Sequence, residues 1–262
     1  MEPHISLSVV ITTRNEGRNL PELFKSLISQ GEKFEVILVD SQSTDNTRDV
    51  VETFKRDLNL RFFSKLTSRG AGRNFGVQQS TSPYVLFLDG DVVASPGLIK
   101  SYLSRLKGEP DFIAGNAISI GVDRFKLNRV KLFVSGFEIT SPSANLCYRK
   151  EVFQKLGGFD ETFVTAEDID LNFRAVVSGY HGEMCEECKV LNRTRQTFTG
   201  FMKQAFWNGY GRYQLRRKNA AKWYLVSKGR PLNENRNLVN LLRLATGSLG
   251  YVYAFLLRGR FP

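Results

Sequence analysis

The sequence feature that most constrains the fold is an apolar run, Tyr84–Leu88, that ends in Asp89-Gly90-Asp91. A short uncharged run of β-branched, aliphatic and aromatic residues is typical of a strand buried within a sheet. Two carboxylates at the end of such a strand are costly unless a cation meets them. Ligands of open α/β sheets bind outside the carboxyl ends of the strands, so the pattern predicts a ligand site with Mg²⁺ or Mn²⁺. The alternative is a common Asp-Gly turn after a strand.

The segment before this run alternates between strand and helix patterns. After polar loops, apolar residues recur at helical spacing, for example at Leu20, Leu23 and Leu27. This alternation predicts an α/β fold with a parallel sheet and right-handed crossovers. The predicted strands are Leu7–Ile11, Phe34–Val39, Leu60–Phe63 and Tyr84–Leu88. Each ends in polar or acidic residues, which would line one edge of the sheet and form a cleft of nucleotide size.

The middle of the chain is less regular. Strands are predicted at Ile118–Ile120 and Asn145–Tyr148, and a turn at Gly157–Glu161. A helix is predicted over 166–174, with acidic residues crowded into its first turn. Negative side chains are favoured there by the helix dipole, so these acids need no catalytic role to be explained.

The net charge of +11 is unevenly distributed along the chain. Residues 189–262 contain fifteen of the 37 Lys and Arg but one of the 26 acidic residues, Glu234. Aromatic rings are interleaved with these basic residues, a pattern typical of proteins at a membrane interface. The charge predicts a polyanionic partner such as anionic lipid, nucleic acid or a phosphorylated substrate. The alternative is a solvated basic helical surface.

The last apolar segment, Leu238–Leu257, is long enough to span a bilayer, but Asn240, Arg243 and two glycines interrupt it. We expect a helix that lies in the lipid headgroup layer or, with equal weight, one that packs on the protein or at a dimer contact. No secretory signal is predicted at the amino terminus.

The three cysteines are few and odd in number, which is typical of a reducing compartment rather than of a disulfide scaffold. Cys185-Glu186-Glu187-Cys188 has the spacing of zinc and redox sites, but a second cysteine pair is absent and the nearest histidine is His181. A zinc site would lack ligands, so we predict a structural pair, with surface thiol chemistry as a minor alternative.

Several short motifs follow one another along the chain: Val10–Glu16, Val39–Asp45, Gly72–Gly76, Asp89–Asp91, Gly157–Glu161 and Glu167–Leu171. Each is weak by itself, but in this order and spacing they resemble the inverting, nucleotide-sugar-dependent glycosyltransferases of family 2. The resemblance covers about residues 8–212. It implies an α/β GT-A fold, a Rossmann-like, mostly parallel sheet flanked by helices, here with a basic helical carboxyl-terminal extension.

The resemblance implies a sugar donor bound at the strand ends and at the start of one helix. The residues expected to bind the nucleotide-sugar are Thr12, Thr13, Arg14, Asn15, Glu16, Asp40, Arg69, Gly72, Arg73, Asn74, Asp89 and Gly90. Asp40 is expected to accept the ring N–H of the base, with a turn-forming role as the alternative. Arginine suits the diphosphate because its planar guanidinium bonds two oxygens; for Arg73 the alternative is an ion pair with a surface acid.

By resemblance, Asp91 is the direct ligand of a divalent cation, Mn²⁺ or Mg²⁺, with Asp89 beside it. Family members often have a late histidine where this chain has Asn192, which is a weaker ligand. Arg193 or Arg195 would then compensate by meeting the diphosphate directly. A divalent ion and arginines stabilise the nucleoside diphosphate as it leaves.

The resemblance also implies that Asp168 is the catalytic base, with Glu167 beside it. A base that removes the proton of the acceptor hydroxyl contributes roughly 10²–10⁴-fold. Direct displacement by the activated hydroxyl inverts the anomeric configuration. On the acceptor side we expect Asp160, Arg193 and Arg195. The Gln-x-x-Arg-Trp motif of processive synthases is absent from the sequence, which predicts transfer of one sugar per encounter.

We predict a GT-A domain over 1–200, with a nucleotide-sugar half (1–115) and an acceptor half (116–200), followed by a basic, aromatic, helical tail over 201–262. The expected enzyme moves a sugar from a UDP- or GDP-sugar to a hydroxyl or phosphate of a lipid-linked or glycan acceptor, in cell-envelope glycan synthesis. We expect it in the cytoplasm, on the inner face of the cell membrane, without nucleic acid as a partner.

Two other functions compete with this prediction. A sugar nucleotidyltransferase would need a glycine-rich, lysine-bearing triphosphate loop, of which Thr13–Gly17 is a poor version. A non-catalytic basic module for membranes or nucleic acid is permitted by the tail. The acids at 89, 91, 167 and 168 argue against it, because an acid-lined cleft repels phosphates unless a metal intervenes.

Overall fold

The computed structural model describes residues 6–122, 130–229 and 238–258. Within them, one sheet has eight strands in the order β3-β2-β1-β4-β9-β6-β10-β5. Its strands are β1 (Leu7–Thr13), β2 (Glu35–Asp40), β3 (Leu60–Ser64), β4 (Tyr84–Asp89), β5 (Val92–Ala94), β6 (Phe112–Ile120), β9 (Asn145–Arg149) and β10 (Gly182–Arg193). The second sheet joins β7 (Leu132–Val134), β8 (Phe137–Glu138) and β11 (Ser227–Lys228) in the order β11-β7-β8.

Helices connect the strands of the larger sheet and make up much of the rest. They are α1 (Leu20–Ile28), α2 (Thr47–Phe54), α3 (Arg69–Gln79), α4 (Leu98–Leu106), α5 (Lys150–Lys155), α6 (Glu167–Val177), α7 (Phe198–Lys218) and α8 (Leu238–Leu256), with a short 3₁₀ helix at Ala220–Leu225. Where the structure describes the basic tail, over 201–229 and 238–258, it is mainly helical and also contains the short strand β11.

The first four strands confirm the α/β prediction. β1 pairs in parallel with β2 and with β4, and β2 pairs in parallel with β3. β9 then joins β4 in the antiparallel direction. The uncharged runs of β2 and β4 are buried along their length, as expected for central strands. Helix α3 lies close to the sheet because Gly76 has no side chain: a Cβ there would be 2.4 Å from Cγ1 of Val10.

The later strands were harder to predict. Ile118–Ile120 is only the end of β6, which begins at Phe112. β10 was missed because its exposed residues include Glu186, Glu187 and Lys189, so that it has no continuous apolar run. β5, β7, β8 and β11 contain three residues or fewer, too few for a period to be visible.

The described residues form two compact units. The first contains residues up to 118, together with 141–159 and 179–192; the second contains those of 119–140, 160–178 and 193–262. The chain passes between the units several times, because β9 and β10 return to the sheet of the first unit. The boundaries near 115 and near 200 that the sequence suggested stay predictions.

Cys185 and Cys188 are joined by a disulfide bond, contrary to the expected reduced state. Both residues lie in β10 and are buried, with their Cα atoms 5.3 Å apart, a separation that a disulfide can bridge. Surface thiol chemistry is therefore excluded for this pair in the structure. The remaining cysteine, Cys147, is a free thiol in the core, and burial raises its pKa above the usual range.

Candidate active site

The carboxyl ends of three neighbouring parallel strands bring four of the residues named from sequence, Thr12, Thr13, Asp40 and Asp89, to one edge of the sheet. Thr13 of β1 is the register partner of Asp40 of β2. On the other side of β1, Thr12 is the register partner of Asp89 of β4. The side-chain oxygen of Thr13 is buried beside Gly90 and has no hydrogen-bond partner within the described residues. An unpartnered buried hydroxyl at a strand end is a feature that a bound ligand would explain.

The loops after β1 and β2 are tied to each other by hydrogen bonds. The Asn15 amide N–H donates to the Ser43 hydroxyl over 2.7 Å, and the side-chain oxygen of Asn15 accepts from the Thr44 amide over 2.8 Å. Asn15 and Gln42 both have positive φ values, 57° and 52°. Such conformations cost energy for residues with a side chain and cluster at ligand sites. The two loops thus form one braced edge.

Asp45 strengthens this brace. Its carboxylate accepts from the amides of Gly17 and Thr47, each over 3.0 Å, and from the Thr47 hydroxyl over 2.6 Å. Desolvation acts to raise the pKa of Asp45, but the hydrogen bonds from Thr47 and Gly17 outweigh it and lower the pKa. A carboxylate just before a helix is a recognisable sequence signal, but its bond to the distant Gly17 is not.

Asp40 is buried at the end of β2 and already has a local partner. Its carboxylate accepts from the Ser43 amide over 2.9 Å and from the Ser43 hydroxyl. This is the turn-forming arrangement that was the alternative to base recognition. A carboxylate has lone pairs for several donors, so the turn does not remove its capacity to accept from a base.

Arg73 is engaged with an acid at the end of β4. Its side chain is 2% exposed, and Nη2 donates to Oδ1 of Asp89 over 2.7 Å. The guanidinium carbon also lies 5.4 Å from the ring centroid of Phe159. The alternative of an ion pair is therefore observed, although with the strand-end Asp89 rather than with a distant surface acid. Arg73 fixes one oxygen of the first carboxylate of the Asp-Gly-Asp motif.

Asn74 holds a turn. Its side-chain nitrogen donates to the Phe159 carbonyl and its oxygen accepts from the Phe159 amide, both over 2.9 Å. The preceding Gly158 has φ +70°, and a Cβ there would be 2.6 Å from the Asn74 oxygen. The predicted Gly157–Glu161 turn is thus clamped to α3. Arg69 and Gly72 lie in the first turn of the same helix, and Arg69 is exposed there.

The strand pairing brings Asn192 next to the Asp-Gly-Asp motif. In the antiparallel ladder of β5 and β10, Asn192 is the register partner of Val92, the residue after Asp91. Asp91 is partly exposed. Within the described ranges, no group of three or more His, Cys, Asp and Glu side chains could hold a metal by itself. The oxygens of Asp91 and Asn192 fit Mg²⁺ or Mn²⁺, which commonly take few protein ligands and complete their shell with phosphate and water.

The predicted base lies at the start of α6 in the second unit. Ala166, just before the helix, has φ 70°, in the left-handed region. Glu167 is buried, whereas Asp168 is partly exposed. Asp170 is fully buried and accepts from Arg174 over 2.8 Å, from Lys218 over 3.0 Å and from Asn219 over 3.1 Å. The acids of this helix therefore have different environments, and Asp170 is an internal anchor.

The residues expected on the acceptor side also belong to the second unit. The carboxylate of Asp160 accepts from Lys218 over 2.6 Å and from the hydroxyl of Thr162 over 2.7 Å. Desolvation acts to raise the pKa of Asp160, but the hydrogen bonds from Lys218 and Thr162 outweigh it, and the pKa is lowered. Arg193 ends β10, and Arg195 follows in the loop before α7; both are partly exposed.

The parallel strand ends, the braced loops and the acidic motif define an α/β domain of the nucleotide-binding class. The sequence profile of glycosyl transferase family 2 matches residues 8–169. The chain belongs to this family, and its domain is that of an enzyme of the glycosyltransferase type. The resemblance drawn from the short motifs is thereby confirmed.

A relative and two solved structures illustrate the similarity. The chain is 27% identical over 225 residues to glycosyltransferase AglE of Haloferax volcanii, covering 80% of this chain and 73% of AglE. The structure of S. aureus TarS 1-349 in complex with UDP-GlcNAc is similar at a TM-score of 0.64 and 20% identity, over 83% of this chain and 73% of that one. Mannosyltransferase PcManGT from Pyrobaculum calidifontis, in complex with GDP-Man and Mn²⁺, is similar at a TM-score of 0.68 and 16% identity, over 98% of this chain and 75% of that one. These structures establish the shared GT-A fold.

Proposed function

We propose that this chain transfers one sugar at a time from a UDP- or GDP-sugar to a hydroxyl or phosphate group of a lipid-linked or glycan acceptor. The observation that carries the proposal is the register of β1, β2 and β4, which gathers Thr13, Asp40 and Asp89 at one sheet edge. The two solved structures described above contain UDP-GlcNAc and GDP-Man, which supports a nucleotide-sugar donor.

A divalent cation at Asp91, with the Asn192 amide oxygen as a second ligand, would stabilise the charge on the leaving nucleoside diphosphate. Asp89 contributes through its link to Arg73, because that ion pair fixes the orientation of the strand end that carries the motif. Arg69, exposed on the first turn of α3, remains the arginine of this helix that is suited to bind phosphate.

Asp168 is the proposed base for the acceptor. Its partly exposed carboxylate is suited to accept the proton of the acceptor hydroxyl as the new glycosidic bond forms. Glu167 is buried beside it, and Asp160 is engaged with Lys218. We therefore assign these two acids a structural role around Asp168 rather than a role in proton transfer.

The test is a donor screen. Purified protein is incubated with UDP-GlcNAc, GDP-mannose and related nucleotide-sugars, with and without Mn²⁺ or Mg²⁺, and released nucleoside diphosphate is measured. We expect release from one donor class that depends on the cation and is lost in Asp91→Asn. A parallel incubation with sugar 1-phosphate and nucleoside triphosphate is expected to yield no pyrophosphate. Pyrophosphate release there, with no turnover in the donor screen, would favour the nucleotidyltransferase alternative.

The membrane part of the proposal rests on α8. None of the helices in the described part of the chain is both long and apolar enough to cross a bilayer. α8 packs on α7 through small residues: a Cβ on Gly250 would be 1.9 Å from the Phe206 carbonyl oxygen. Its large apolar side chains are exposed instead, among them Leu238, Leu241, Leu242, Leu244, Leu249, Val252, Phe255 and Leu256.

An exposed apolar face of this extent marks an interaction surface. Arg212, Arg216 and Arg217 of α7 are exposed as well, and positive charge combined with an apolar helix face suits an anionic lipid surface. We therefore propose that α8 lies in the headgroup layer of the cytoplasmic membrane leaflet.

Flotation with vesicles of phosphatidylglycerol and phosphatidylcholine tests this proposal. We expect the protein in the lipid fraction, and we expect the double variant Leu249→Ser/Phe255→Ser to bind less. Added salt should also weaken binding, because it screens the attraction between the exposed arginines and the anionic lipid. Absence from the lipid fraction at both low and high salt would refute it. A dimer in solution that is lost in the same variant would indicate a second copy as the partner.

A further inference from the structure

Helix α7 contacts residues 161–167, the segment that leads to the proposed base, at several successive points. We propose that Gln214 and Lys218 of α7 are positioning residues that set the placement of Asp168. The inference rests on the proposed role of Asp168 and adds two residues that the sequence motifs do not include.

Gln214 is 7% exposed, and both ends of its amide are engaged with the segment. Its nitrogen donates to the Thr162 carbonyl over 2.9 Å, and its oxygen accepts from the Val164 amide over 3.1 Å. A buried amide satisfied at both ends has one orientation, because a flipped amide would oppose donor to donor and acceptor to acceptor. Gln214 therefore fixes the backbone of residues 162–164.

The next residue of the segment is held by the backbone of α7. The Thr165 hydroxyl donates to the Trp207 carbonyl over 2.9 Å. Gly211 allows this approach, because a Cβ there would be 2.2 Å from the Thr165 hydroxyl oxygen and 2.4 Å from its carbonyl oxygen. The segment thus lies against α7 itself and not only against its side chains.

Lys218 fixes the segment on both sides of Asp168. Its ammonium is 2.6 Å from Asp160 and 3.0 Å from Asp170. The next residue, Asn219, donates to the other oxygen of Asp170 over 3.1 Å. One cation therefore joins the acid that precedes the segment to the acid two residues after the proposed base.

The backbone between these fixed points is strained at Ala166, whose φ of 70° is unfavourable for a residue with a side chain. Such a conformation persists only where the surroundings hold it, and here Gln214 and Lys218 provide the contacts on either side. A displacement of about 1 Å at a reacting group can cost on the order of 10²-fold in rate. The α7 contacts are therefore expected to matter for turnover more than for donor binding.

Two variants test the inference: Gln214→Leu, which removes both amide bonds, and Lys218→Met, which removes the bridging charge. Each is expected to lower kcat for nucleoside diphosphate release by roughly 10- to 100-fold, with KM for the donor and Kd for UDP or GDP changed less than about twofold. Lys218→Arg and Gln214→Glu each retain part of the contacts and are expected to recover part of kcat. Lys203→Met, which changes an exposed residue of α7 without a proposed role in lipid or donor binding, is the matched control.

Hydrogen exchange and the Asp168→Asn variant separate the possible outcomes. In Gln214→Leu we expect faster exchange confined to residues 161–168, and no further loss of kcat when it is combined with Asp168→Asn. Unchanged exchange in this segment, or an unchanged kcat while Asp168→Asn is inactive, would overturn the positioning role. If Asp168→Asn itself retains full turnover, the proposed role of Asp168 as the base is wrong, and the exchange result still decides whether α7 fixes the segment.

Discussion

The end of β4 and the start of α6 use the same arrangement of acids. In each, two aspartates are separated by one residue, and one of them is tied to a cation from another helix. Asp89 is paired with the buried Arg73 of α3, whereas Asp170 is fully buried and paired with Arg174 and with Lys218 of α7. The other aspartate of each pair, Asp91 at β4 and Asp168 at α6, is partly exposed.

The difference between the two regions is the degree to which the anchoring acid is removed from water. The Asp89 side chain is 36% exposed, while that of Asp170 is 0% exposed. An acid that stays partly in water can still meet a ligand, whereas a buried one serves the fold. We therefore expect the two aspartates at β4 to act together and the two aspartates at α6 to have separate functions.

The largest expected effect separates the two aspartates of α6. Asp168→Asn is expected to lower kcat by roughly 10²- to 10⁴-fold, because the acceptor hydroxyl would lose its proposed base. Its urea midpoint and donor affinity should stay at the wild-type values, since the side chain is not an internal anchor. Steady-state nucleoside diphosphate release checks this, with the exposed Asp57→Asn as a control. A kcat within threefold of wild type would remove Asp168 from the mechanism.

The second prediction concerns the pair at β4. Asp91→Asn is expected to lower kcat/KM by about 10²-fold, because charge stabilisation of the leaving group is lost. Arg73→Met is expected to lower it as well, although by less, since Asp89 loses its fixed orientation while its carboxylate remains. Measuring kcat/KM of each variant while Mn²⁺ is titrated checks which change is the more damaging. If Arg73→Met were the more damaging change at saturating metal, Arg73 itself would be the group that meets the diphosphate.

The sequence predicted much of this site because its signals are local. Asp89 and Asp91 follow an uncharged strand, and Asp40 follows another, so parallel strand order alone was enough to place them at one edge. Which acid of each pair serves as an anchor was not predictable. Its partners are set by tertiary packing: Arg73 is 16 residues before Asp89, and Lys218 is 48 residues after Asp170.

The positions of Gln214 and α8 were unpredictable for the same reason. A glutamine on a basic helix carries no periodic signal, and its two bonds go to backbone atoms 52 and 50 residues away. α8 has its small residues Gly250 and Ala254 buried and its leucines exposed, the reverse of the pattern from which a core face is predicted.

The third prediction tests the anchor of α6 directly. Asp170→Asn is expected to lower the free energy of unfolding by about 2–3 kcal/mol, because charged hydrogen bonds to a fully buried carboxylate are lost. Urea denaturation followed by circular dichroism measures this effect. Asp89→Asn is the matched variant at β4 and is expected to cost less, since Asp89 is partly solvated. Equal costs would mean that the two anchors do not differ in the way that their exposure indicates.

The smallest effect is a pH dependence at Asp160. Its folded-state pKa lies below the ordinary value of 3.8, and a lowered pKa stabilises the native state above the unfolded value. That contribution is fully present at neutral pH and is lost as the pH falls below 3.8 toward the folded pKa. Lys218→Met removes a main cause of the lowering, so the stability difference between wild type and variant should shrink as the pH falls through this window. Thermal unfolding from pH 6 to pH 2.5 measures it, with Arg217→Met as the control. A difference that is constant across this range would mean that the charge pair of Lys218 with Asp160 does not contribute to stability.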